Sequence, residues 1–137
     1  MTNSELAKSY LIKATKRLKI LSILKEDEAY SDVIRESQEI VELSLKGMLR
    51  EVGVEPPRWH DVGSLIIKFK KKFPEEVSKN AERLASISKW LRKEREFAFY
   101  GEADFIPTEE YDLEDAERAI SDAKFVVDMT KLVIRLD

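Results

Sequence analysis

Apolar residues recur at helical intervals along almost the whole chain. Leu11, Ala14, Leu18 and Leu21 follow 3-4-3 spacing, with Lys13, Lys16, Arg17 and Lys19 largely elsewhere on the circumference. That pattern predicts a helix over about 4–24. After the charged turn Lys25-Glu26-Asp27-Glu28, the residues Ile34, Gln38, Val41, Leu45 and Met48 share one stripe. They predict a second helix over about 30–52, stopped at Gly53. Consecutive prolines at 56 and 57 make 54–59 a loop, because neither can continue a helix. Asp61 suits the N-cap of a shorter helix over about 61–73. Pro74 ends it and opens a fourth stretch, carrying Val77, Ala81, Leu84, Ser88 and Leu91. The segment 101–107 reads as a loop. Asp112, with Asp115 three residues on, then opens a last helix running almost to Leu136. Its stripe is Ala116, Ala119, Ala123, Val126, Thr130 and Val133, small enough in places to admit a neighbouring backbone.

No segment alternates in the manner of a strand, and there is no internal repeat or low-complexity linker. The reading is an all-α, single-domain antiparallel up-and-down bundle over residues 1–137, with four long helices and a short one. A bundle of this size has a limited core. The apolar residues Ile66, Trp90 and Phe125 therefore either cover a homodimer interface or pack within the monomer.

Composition mostly excludes. Hydrophobic residues at 43% and charged residues at 37% suit a soluble globule. Lys+Arg 24 against Asp+Glu 27 gives a net charge of -3, which argues against a coat of positive charge but not against a local basic patch. The absence of Cys excludes disulfides, thiolate zinc sites and a Cys nucleophile. A single histidine, His60, excludes any two-histidine metal site, and no cofactor is expected beyond a nucleotide ligand. Scarce Asn and Gln beside abundant Lys and Glu resembles thermophile usage. The N-terminus lacks a signal-peptide core and the apolar runs are short, so a cytoplasmic protein without a membrane segment is expected.

The segment 92–101, reading RKEREFAFYG, is the least ordinary. Extending the 77–91 stripe by four residues lands on Arg95, placing a guanidinium on the inward face. Such a charge needs a carboxylate, a polar cleft or an anionic ligand, and a structural salt bridge stays open as the plain alternative. If the helix ends near Phe99 with Gly101 as a left-handed cap, Tyr100 can fold back towards Arg95. The pair would hold a phosphate or the edge of a nucleotide, unless the ring simply plugs the bundle's end. His60, beside Asp61 at a helix start, suits a structural or accessory role more than a general base. Lys68, Lys70, Lys71 and Lys72 form the strongest local positive run, either a solvated face or a contact for phosphates. Glu109, Glu110, Asp112, Glu114 and Asp115 lack a calcium-loop pattern and suit a helix dipole. No phosphate-cradling glycine loop and no Ser-His-Asp layout occurs.

Three blocks in order resemble the HEPN domain family: ESQEIVELSLKGML over 36–49, GVEPPRWHDV over 53–62, and REFAFYG over 95–101. The resemblance covers nearly the whole chain. It implies a HEPN-like bundle that dimerises and is often encoded beside a minimal nucleotidyltransferase as a toxin–antitoxin pair. Active members of the family are metal-independent ribonucleases using an Arg and a His a few residues on. Arg95 matches that Arg; Tyr100 stands where the His would fall. The resemblance therefore implies a nucleotide or RNA site of Arg92, Arg95, Tyr100 and Gly101, with Arg95 and Tyr100 as the catalytic pair if the protein cleaves RNA. It also makes Tyr100 a candidate for nucleotidylation by the partner enzyme.

Overall fold

A computed structural model describes residues 3–56, 58 and 61–136. Its four long helices are α1 (Asn3–Glu26), α2 (Tyr30–Glu51), α5 (Ala81–Phe99) and α7 (Leu113–Val133). Between them lie the short helices α3 (Val62–Lys68), α4 (Glu75–Ser78) and α6 (Pro107–Glu110), with a 3-10 turn at Lys70–Lys72. The all-α bundle follows from the stripes. Leu11, Ala14 and Leu21, all five residues of the α2 stripe, and Val77, Ala81, Leu84, Ser88 and Leu91 are buried, as are Ala116, Ala119, Ala123, Val126 and Thr130. Helix α2 is the central member, packing against α1, α3, α5 and α7. The buried hydroxyls of Ser44 and Thr130 stay satisfied by donating to the carbonyls of Ile40 and Val126, at 2.8 and 2.7 Å.

Local signals set the ends. Asp61 caps α3 by accepting from the Gly63 amide at 3.0 Å. Asp112 and Asp115 form a reciprocal capping box at the start of α7, with bonds of 3.0 and 3.1 Å. Helix α3 lies so close to α5 that a Cβ on Gly63 would come within 2.9 Å of Ala85 Cα, and this brings Asp61 near the outer face of α5.

Three expectations need correction. The short helix over 61–73 ends at Lys68, and the three lysines that follow wind into the 3-10 turn. The fourth stretch is two helices, because the chain breaks at Lys79–Asn80 and the Asn80 side-chain amide donates to the Glu76 carbonyl at 2.8 Å. Arg95 does not point inward. The buried series of α5 passes from Leu91 to Ala98, seven residues and two turns on, while a four-residue step overshoots the apolar face. The candidate interface residues pack within the chain: Ile66 is fully buried, and Trp90 and Phe125 are half-buried beneath the Arg118 and Arg83 guanidiniums. Among the described residues, no helix is long and apolar enough to cross a membrane.

Candidate functional site

Helices α2 and α5 form the two walls of a cleft of about 470 Å³. Steps of three and four residues along α2 put Arg35, Gln38, Glu42 and Lys46 on one side of that helix. The C-terminal half of α5 supplies Arg92, Arg95, Glu96 and Phe99; Tyr100 follows at the rim, and Arg58 enters from the loop before α3. Five cations and two carboxylates thus line one concavity of a chain whose net charge is -3. Concave walls lined mainly by one sign of charge concentrate its potential, and here the sign attracts anions.

The cations differ in how they are held. Arg95 Nη2 donates to Glu39 Oε1 at 2.9 Å, and Glu39 also lies 3.8 Å from Arg17, which pairs with Glu36 at 3.1 Å. The Arg95 side chain is 46% exposed, so this pair is worth at most about 1 kcal/mol and is open to exchange with a ligand anion. Arg92 reaches the capping carboxylate of Asp61 at 3.4 Å. The Arg35 guanidinium lies 4.2 Å from the centre of the Phe99 ring, which meets Tyr100 edge-on at 4.7 Å. Lys46 and Arg58 have no carboxylate partner among the described residues. Gln38 is buried, yet its Oε1 lacks a hydrogen-bond partner.

Tyr100 is 75% exposed. It ends α5, and Gly101 follows with φ of 72°, a left-handed conformation favourable for glycine. A Cβ there would strike the Phe105 carbonyl oxygen and approach Pro107 Cδ at 2.6 Å. The segment after the turn is pinned to α5. Phe105 packs on Phe97 and Tyr111 at 5.5 and 5.7 Å, and the Tyr111 hydroxyl donates to Glu94 at 3.0 Å. Burial, then the bond to Glu94 and the nearby carboxylates, push the Tyr111 phenol well above its usual range.

Of the residues singled out from the sequence, Arg92, Arg95 and Tyr100 are brought to one cleft, and Gly101 shapes its rim from just outside the lining. Asp61 lines a shallow neighbouring depression with Lys89, Arg92 and Lys93. Lys70, Lys71 and Lys72 are exposed on their own turn, outside the cleft lining. His60 lies outside the described residues. The sequence reading did not assign Arg35, Glu42, Lys46 and Arg58 to the site, and it placed Gln38 only in the core. The available signal was a second, polar stripe on α2, with Arg35, Glu39, Glu42 and Lys46 running beside the apolar one.

An all-α helical bundle is what the three sequence blocks anticipate. The HEPN domain model matches residues 7–133, and the chain belongs to that family. It is similar to a protein of Methanocaldococcus jannaschii named "Putative toxin MJ1304", with 26% identity over 136 residues, covering 94% of this chain and 88% of the relative. No solved structure matches the chain.

Proposed function

We propose that this is a toxin-type HEPN protein whose α2–α5 cleft binds nucleotide or RNA, and that it acts in the cytoplasm as a homodimer beside a minimal nucleotidyltransferase. The observation that carries the reading is the cluster of five cations lining one cleft of an acidic chain, with two aromatic rings at its rim. In this reading Arg95 turns from Glu39 to a phosphate oxygen, Arg92 adds a second cation, and Phe99 and Tyr100 offer faces to a base. The exposure of Tyr100 leaves its hydroxyl open to nucleotidylation. There the phenol oxygen bonds to the α-phosphorus of a nucleoside triphosphate, pyrophosphate leaves and the phenol proton passes to solvent. The name of the Methanocaldococcus jannaschii relative supports the toxin assignment.

A second reading, metal-independent RNA cleavage, is favoured by Arg95 and Tyr100 lining the same cleft. Arg95 would stabilise developing charge on phosphate while Tyr100 orients the 2′-hydroxyl. Calorimetric titration of wild type and Arg95→Ala with ATP and with a short RNA, in EDTA, tests both readings. The expected result is saturable binding weakened at least about tenfold by the substitution, since a charged contact is worth roughly 1.5–3 kcal/mol. No saturable heat from either ligand overturns the binding reading. RNA cleavage by wild type and not by Arg95→Ala selects the ribonuclease.

A further inference from the structure

The basic cleft continues beyond its α2–α5 walls. Lys46 and Arg58 also line an adjoining depression of about 440 Å³, whose other sides are Tyr10, Arg50, Glu55 and Pro56. On α2 the lining therefore extends from Arg35 to Arg50. At 1.5 Å per residue those fifteen steps cover about 22 Å. A stacked strand advances about 3.4 Å per nucleotide, so the length suits about six nucleotides, and a mononucleotide fills only a fraction of it.

The second depression holds cations in search of a partner. Among the described residues no carboxylate pairs with Lys46, Arg50 or Arg58, and Glu55, although it lines the same depression, makes no ion pair with them. Arg50 Nε is buried without an acceptor, a condition that costs free energy until one arrives. The Arg50 guanidinium lies 5.9 Å from the centre of the Tyr10 ring. Aromatic rings thus stand at both ends of the track, Phe99 and Tyr100 at one and Tyr10 at the other. Cations placed between stacking rings are the elements that single strands use. An acidic peptide would engage the cations but has no use for the rings.

We propose that the track along α2 holds a single strand of about four to six nucleotides, with Arg50 and Tyr10 forming a subsite beyond the Arg95 cleft, joined to it by the shared Lys46 and Arg58. The proposal rests on the nucleotide reading of that cleft and extends it from a mononucleotide to a strand. Fluorescence anisotropy with labelled dinucleotides and hexanucleotides separates the two claims. RNA and DNA arms run in parallel, the DNA lacking a 2′-hydroxyl to cleave, and a labelled oligoglutamate serves as the acidic-peptide probe. The hexanucleotide is expected to bind at least about tenfold tighter than the dinucleotide. Arg50→Gln, which alters the second depression alone, reduces that advantage, leaves dinucleotide affinity unchanged, and lowers the slope of log affinity against log salt by about 0.7, the share of one phosphate contact. Because Arg50 is partly buried, Tyr10→Leu is measured as well and is expected to weaken hexanucleotide binding alone. Equal affinity for both lengths, a hexanucleotide unaffected by both Arg50→Gln and Tyr10→Leu, or oligoglutamate binding as tightly as the hexanucleotide overturns the strand. Failure of both lengths to bind wild type overturns the Arg95 reading too.

Discussion

Two faces of the bundle carry the same residue types and treat them differently. On the α5–α7 side, Arg83 lies 3.6 Å from the centre of the Phe125 ring and Arg118 lies 3.8 Å from that of Trp90. Asp122 sits 3.9 Å from Arg118, and the depression there, at about 510 Å³, mixes Lys25, Arg83 and Lys124 with Glu117 and Asp128. Each of those two arginines lies over a ring supplied by its own chain, and Lys25 reaches Glu117 at 3.7 Å. On the α2–α5 side Arg35 lies over Phe99, Arg92 reaches Asp61 and Arg95 shares Glu39 with Arg17, but among the described residues Lys46, Arg50 and Arg58 pair with no carboxylate. Volume and residue type alone do not separate a structural face from the proposed binding face. In that proposal the supply of carboxylates does.

That contrast can be broken by measurement. Phe125→Ala should have the largest effect on stability, a loss of about 2 kcal/mol in urea denaturation. This is below the 3–5 kcal/mol of a fully buried Phe because the ring is half-exposed, and nucleotide binding should not change. Arg95→Ala should cost less than about 1 kcal/mol in the same experiment while reducing binding. Were Arg95→Ala the more destabilising of the two, the cleft would be a structural face after all. Asp122→Asn should have the smallest effect. Burial raises this carboxyl above its ordinary 3.8, outweighing the opposing pull of Arg118 and Arg83. A raised acid gives its stabilisation at pH values below the unfolded pKa and loses it as pH rises through the folded one. Wild type should therefore lose stability relative to Asp122→Asn as the pH climbs above about 4, a difference visible in melting temperatures taken at pH 4 and 7.

The fold was readable because burial in a bundle obeys one period. The stripes at 34–48 and 77–91 named buried residues correctly even though the second spans a break in the helix. Lys79 and Asn80 fall off the apolar face, so interrupting the helix there leaves the stripe intact, and periodicity could not register it. The same arithmetic misplaced Arg95, since a four-residue step and a seven-residue step from Leu91 diverge just where the core narrows to Ala98. Half of the candidate site was legible, namely the half that adjoins Tyr100 and Gly101 in the chain. The α2 half was not, because Arg35, Glu42 and Lys46 look like the solvated face of any amphipathic helix. Only the arrival of α5 alongside, with Arg58 from the loop, turns that face into a wall.

Helix α2 is at once the wall of the cleft and the beam on which α1, α3, α5 and α7 rest. A molecule seated on it cannot be a local guest. By favouring the closed bundle over its openings, an occupant should slow amide hydrogen exchange in α1 and α7 as well as beside the ligand, so that occupancy would be felt on the far side of the protein.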